Sequence, residues 1–131
     1  MSAAVRYYSR SGHTKAAAEA IAKGAGTTAV SVDAPGAELT EKVDVLFVGG
    51  ALYAYGLDKH LKEYLGKIDP AMVGKAVVFS TAWLSKHALD LIKNALREKG
   101  ITVEDETLFI KSKPKDDDLK RAEEFGKKMS L

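Results

Sequence analysis

Between a short apolar run and an alanine-rich segment lie Ser9-Arg10-Ser11-Gly12-His13-Thr14, three hydroxyls and a glycine within six residues. A strand feeding directly into a helix leaves several backbone N–H groups converging on one point, where the positive end of the helix dipole adds to them. That point suits an anion. Hydroxyls at Ser9, Ser11 and Thr14 supply further donors, and Gly12 permits close approach because it has no Cβ. The chemistry open to these residues is phosphate binding, although a capped helix start uses the same residue types. Arg10 can reach across the loop to the anion, and His13 either bonds it or points to solvent.

The elements that must position this loop are legible from apolar spacing. Residues 3–9, with β-favouring Val5, Tyr7 and Tyr8, are expected to form the first strand, with Arg6 its discordant member. A helix follows over about 12–23, where Thr14, Ala17, Ala18 and Ile21 make an i, i+3, i+4, i+7 stripe and Gly24 and Gly26 end it. Residues 28–32 predict a short strand, Asp33-Ala34-Pro35-Gly36 a turn, and 38–42 about one helical turn. The nearly continuous apolar run 43–48 reads as a central parallel strand covered on both faces, and it ends in Gly49-Gly50.

Helices are predicted over 57–68 and over 85–99, the second capped by Ser85 and closed by Gly100, with a strand over 75–81 between them. A strand within 101–110, interrupted in its acidic middle, precedes a last helix opened by Pro114 and Asp116-Asp117-Asp118. Leu119, Ala122, Phe125 and Met129 dock that helix. Strands alternating with helices in this way argue for βαβ units in a parallel sheet.

In such a sheet every strand-to-helix loop lies at the carboxyl edge, where ligands settle. Three of those loops are unusual: residues 9–14, residues 49–58 with Tyr53 and Tyr55, and residues 80–86 with Trp83, the one tryptophan of the chain. Each aromatic could simply cover the sheet edge. Together they suit a planar ligand, because ring stacking contributes about 0.5–1.5 kcal/mol per pair beyond area burial. A phosphate site beside two aromatic loops describes a nucleotide-like ligand with a flat ring.

The totals exclude other chemistries. Absence of cysteine removes disulfides, thiolate catalysis and thiolate metal sites. Three isolated histidines make a metal site unexpected. A formal charge of +2, from 20 basic and 18 acidic residues, is too near balance to suggest nucleic acid. At 131 residues one domain, 1–131, is expected, and no apolar run approaches the roughly 20 residues of a membrane helix. MSAAVRYYS runs straight into a strand pattern rather than a signal peptide, so a cytoplasmic location is expected.

These features resemble the flavodoxins. That family's phosphate loop reads Ser/Thr-x-Ser/Thr-Gly-x-Thr, and Ser9-x-Ser11-Gly12-x-Thr14 matches it at every fixed position. The similarity continues through VDVLFVGG, AVVFST and KPKDDDLKRAEEFGKKM, covering nearly the whole chain. It implies a three-layer, doubly wound, five-stranded parallel sheet of order 2-1-3-4-5 that binds FMN without covalent attachment. Ser9, Arg10, Ser11, Gly12, His13 and Thr14 would hold the phosphate. Leu52, Tyr53, Ala54, Tyr55 and Gly56 would meet one face of the isoalloxazine, and Thr81, Ala82, Trp83 and Leu84 the other. In flavodoxins a peptide of the first ring loop turns its carbonyl toward flavin N5 when the flavin takes up one electron. Gly56 is the nearest candidate for that role, with Gly49 and Gly50 preceding it.

The resemblance implies an electron carrier with no catalytic residues, serving redox partner proteins such as a flavin reductase or ferredoxin-type donor, with neither nucleic acid nor membrane as partner. The alternative is a small FMN-dependent oxidoreductase, quinone-reductase-like or protoporphyrinogen-oxidase-like, in which Tyr53 or Tyr55 positions an organic substrate. A fold without flavin is a third reading. The phospho-acceptor form of it is discounted, because Ser9 and Gly49-Gly50 stand where a receiver domain carries acidic residues.

One departure concerns charge. Flavodoxins ring the flavin with carboxylates, whereas here Asp58 stands alone against Lys59, His60, Lys86 and His87. A reduced, anionic flavin is destabilised less in such surroundings, which predicts a less negative potential than the family norm. Lys111, Lys113 and Lys115 also break the pattern, as a solvated turn or as a docking site for an acidic partner.

Overall fold

Strand residues sort by alternation into two cores. Val5, Tyr7, Val45, Phe47, Val77 and Phe79 face one way, while Ala4, Leu46, Val48, Ala76 and Val78 face the other. The computed structural model describes residues 2–53, 56–82 and 85–131, Tyr53 by its backbone. In chain order the elements are β1 (Ala3–Tyr7), α1 (His13–Ala25), β2 (Ala29–Ser31), β3 (Val43–Gly50), β4 (Leu52–Tyr53), β5 (Gly56–Leu57), α2 (Lys59–Lys67), β6 (Val73–Ala82), α3 (His87–Glu98), β7 (Leu108–Lys111) and α4 (Asp116–Met129). Five strands form one parallel sheet ordered β2-β1-β3-β6-β7, which is 2-1-3-4-5 when the sheet strands alone are counted. α1 and α4 cover the first face, α2 and α3 the second.

Several boundaries differ from the expectations. Gly24 does not end α1: the helix runs through it to Ala25 and closes on Gly26, whose left-handed φ of 73° makes the C-cap. Gly24 serves packing instead, because a Cβ there would collide with the Glu123 carbonyl of α4, and one on Gly126 would collide with the Ile21 carbonyl of α1. The two helices therefore touch backbone to backbone. Ser85 is not the N-cap residue of α3, a position Lys86 takes, but its Oγ accepts the His87 N–H at 3.0 Å. Residues 101–110 are interrupted as expected, making a single bridge from Val103 to Ala76 before β7 begins.

The predicted helical turn at 38–42 is absent, and this segment runs in bends over the second face of the sheet. Five residues are too few to offset helix nucleation. Side chains hold the segment instead: the Ala37 carbonyl accepts Arg6 Nε and the Tyr64 hydroxyl, each at 2.7 Å. Arg6 is thereby a full member of β1, paired with Val30 and Val48, with its buried guanidinium also bonded to the Val5 carbonyl. Replacing Arg6 by Leu should cost about 1–3 kcal/mol, since the Ala37 carbonyl loses a charged donor and its segment a tether. Urea unfolding measures this, and an unchanged midpoint would rule out the tether.

Candidate functional site

β1, β3 and β6 all end at the carboxyl edge, and those of the residues singled out in the sequence that are described follow these strands there. After Tyr7 the chain turns through Gly12, which has φ 92° and, among the described residues, no atom within 4 Å of where a Cβ would stand. Only glycine holds that conformation without strain. Ser9 Oγ accepts the Gly12 N–H at 3.0 Å, and Ser11 Oγ accepts the His13 N–H at 3.5 Å. The first bond of the α1 ladder runs from Ala16 N–H to the Gly12 carbonyl at 3.0 Å. The amides of His13, Thr14 and Lys15 therefore lie ahead of the ladder and point out of the helix end.

Thr14 is buried at 1% exposure, and its hydroxyl meets that of Thr81 at 2.6 Å. This contact joins the 9–14 loop to the end of β6. Ala82, the last residue of β6, accepts the Ser112 N–H at 2.9 Å, which ties in the loop after β7. Ser112 has φ 61°, the one non-glycine residue in the left-handed region among those described.

The loop after β3 forms a small antiparallel ladder that the sequence reading did not foresee, with Leu52 opposite Leu57 and Tyr53 opposite Gly56. Gly49 and Gly50 belong to β3 itself. A Cβ on Gly49 would enter the Phe79 ring, and the Gly50 carbonyl accepts Ser80 Oγ at 2.7 Å. Gly56 is different: among the described residues the nearest group to a Cβ there is Lys62 Nζ, at 3.6 Å. Ala54, Tyr55, Trp83 and Leu84, together with the Tyr53 side chain, lie outside the described residues.

Arg10 does not stand apart from the other loops. Its Nη2 and Nε donate to Asp58 Oδ2 at 2.6 and 3.1 Å, linking the loop after β1 to the start of α2. Asp58, 5% exposed, is also the N-cap of α2: its Oδ1 accepts the His60 N–H at 2.8 Å and contacts His60 Nδ1 at 2.9 Å. The His60 ring stacks on Tyr8 at 4.9 Å. Tyr8, Asp58 and His60 were absent from the expected site residues; an Asp opening the stripe of α2 was the signal for the cap, but nothing local pairs it with Arg10.

A flavodoxin-domain family model matches residues 4–114. This chain belongs to the flavodoxin family. Flavodoxins are flavin-binding electron carriers that serve redox partners. No curated protein sequence matches the chain. Among solved structures, a flavodoxin from the domain Archaea is 30% identical, with a TM-score of 0.86 over 99% of this chain and 96% of its own. Oxidised Flavodoxin 1 from Bacillus cereus is 23% identical, with a TM-score of 0.75 over 95% of this chain and 93% of its own. The flavodiiron protein from Giardia intestinalis shares the fold at 16% identity and a TM-score of 0.84, this chain matching 35% of that longer one.

Within this flavodoxin the Asp58 cluster has a pH signature. Burial pushes the carboxyl up, but the hydrogen bonds from Arg10 and His60 outweigh it and hold the group below its ordinary value. A depressed folded pKa contributes stability that is full above the unfolded value, about 3.9, and is lost as pH falls through the folded one. Asp58→Asn keeps a capping oxygen but not the charge. Its urea midpoint should therefore decline less than that of the parent below about pH 4; parallel acid limbs would refute the assignment.

Proposed function

We propose that this chain, as a single cytoplasmic domain spanning residues 1–131, holds FMN without covalent attachment and carries electrons between redox proteins, a flavin reductase or ferredoxin-type protein serving as donor. When bound, FMN supplies one-electron chemistry. The observation that carries the reading is Gly12: its left-handed backbone and open Cβ side, beside amides ahead of the α1 ladder, form a cradle that a phosphate fits. Ser9, Ser11 and Thr14 add hydroxyls, Arg10, paired with Asp58, brings a cation to this edge, and His13 flanks the loop. In the Thr14–Thr81 contact one hydroxyl donates, and the other keeps its hydrogen for a ligand.

On this reading Leu52, Tyr53, Ala54, Tyr55 and Gly56 would serve one ring face, and Thr81, Ala82, Trp83 and Leu84 the other. Gly49 and Gly50 are occupied in packing, which leaves Gly56 to present its carbonyl to the ring. Lys62 Nζ beside Gly56 then stabilises negative charge on the reduced ring. Lys62→Gln should lower the potential of the fully reduced couple by a Coulomb energy on the order of 1 kcal/mol, roughly 40 mV for one electron. A potentiometric titration reads this, and an unmoved potential removes Lys62 from the argument.

The function itself is tested by adding FMN to the apoprotein, following its fluorescence, and then assaying NAD(P)H oxidation with quinones. A carrier quenches FMN and turns over only when a reductase is added. Turnover without a reductase would make the protein an oxidoreductase.

A further inference from the structure

Exposed cations stand on both sides of the two ring loops. Lys59 and Lys62 lie on the first turns of α2, Lys86 takes the N-cap position of α3, and Lys111 and Lys113 lie at and just beyond the end of β7. Lys86 Nζ sits 5.5 Å from the centroid of the Phe109 ring, which packs on the α2/α3 side of the sheet. Strand alternation places Lys111 on the same side. The Ser112 N–H bond to the Ala82 carbonyl holds this lysine loop beside the one that follows β6, and Lys62 reaches Gly56 from the opposite flank.

The carboxylates of this edge lie apart from these lysines or are engaged: Asp33 follows β2, the edge strand farthest from β7, and Glu38 lies near Tyr64 of α2. Asp58 is buried under Arg10 and His60, and Glu63 lies 3.9 Å from Lys59. Asp90 is the acid of the first turn of α3. Asp116, Asp117 and Asp118 open α4, which packs on the opposite face of the sheet, and Asp118 is engaged by the Lys115 N–H and by Arg121 at 3.8 Å.

We propose that this edge docks an acidic redox protein, one whose own electron-transfer centre is ringed by Asp and Glu. The proposal rests on the flavin reading above, because these lysines frame the place where electrons would leave. Opposed surface charges steer encounter and orient the partners over about 10 Å at 0.1 M salt. Exposed ion pairs contribute only about 0–1 kcal/mol each, so such a complex forms fast and parts readily, as a carrier requires. A nucleic acid would gain nothing from surrounding an electron exit, and the overall charge of +2 gives it little hold.

The first test needs no flavin. Hexaglutamate titrated into the 15N-labelled full chain in about 10 mM salt should shift the amides around 59–62, 86–87 and 111–113, and in about 1 M salt, where the screening length falls to about 3 Å, the shifts should vanish. Shifts elsewhere or nowhere overturn the proposal, as does a stronger response of the same amides to a single-stranded oligonucleotide of equal charge. The second uses the FMN-loaded, reduced protein, which passes one electron to each oxidant ion. Its rate with anionic ferricyanide should fall several-fold as salt rises, while its rate with cationic hexaammineruthenium(III) should not fall. The variant carrying Lys86→Glu, Lys111→Glu and Lys113→Glu should invert that order. Rates indifferent to salt in a protein that takes up FMN defeat the docking face alone; failure to take up FMN, with hexaglutamate shifts intact, defeats the flavin reading instead.

Discussion

Gly126→Val is expected to cost at least about 3 kcal/mol, a large part of the roughly 5–15 kcal/mol that holds a domain of this size together. The Cβ of any residue at 126 would strike the Ile21 carbonyl, and the reciprocal position, Gly24, faces the Glu123 carbonyl in the same way. Both obstacles are backbone within helices, so no side chain can swing aside to relieve them. Relief requires α4 to move outward, which uncovers Ala122, Phe125 and Met129 and the sheet residues beneath them. Urea unfolding followed by circular dichroism gives the number. A loss below about 1 kcal/mol would mean that α4 slides without penalty. Gly66→Ala is the control: Gly66 lies exposed in α2 with no atom of the described residues within 4 Å of a Cβ, so this change should stabilise by about 0.5–1 kcal/mol.

FMN is expected to bind about 1,000-fold more tightly than riboflavin, which differs from it only by the phosphate. Two charge-assisted hydrogen bonds from the loop, at about 2 kcal/mol each, account for a factor of that order. Gly12→Val should abolish the difference, because a β-branched residue cannot hold φ 92° and the loop must open. Riboflavin affinity should fall far less than FMN affinity, since the substituted residue lies in the phosphate loop rather than in either ring loop. Fluorescence titrations with both flavins decide the matter. Equal binding of FMN and riboflavin by the parent chain would show that the cradle at Gly12 holds no phosphate.

The sheet and its helices were legible because burial of one face imposes a period. Thr14, Ala17, Ala18 and Ile21 repeat at helical spacing and all are buried, as are Leu57, Leu61, Tyr64, Leu65 and Ile68. The ladder of Leu52–Tyr53 with Gly56–Leu57 is too short to show any period, so it reads as plain loop. Gly24 and Gly126 are ambiguous for another reason: a glycine that ends a helix and one that lets a second helix approach look alike until the partner is known. At the site, residues 9–14 and the Gly56 loop were visible as local patterns. The Arg10–Asp58–His60 cluster was not, because it joins side chains 48 positions apart through the fold alone. Arg6 looked out of place in β1 for the same reason, since the carbonyl that satisfies it lies 31 residues downstream.

The seam between α1 and α4 also sets an order of events during synthesis. α1 leaves the ribosome well before α4, yet the two cover one face together. A nascent chain stopped before Asp116 has all five strands of the sheet, but Phe47, Phe79, Leu108 and Ile110 lack the helix that shields them. Such a species is sticky, and the 14-residue α4 ends its exposure. Translation pauses or frameshifts just ahead of α4 would thus be punished by aggregation rather than by loss of any of the loop residues 9–14.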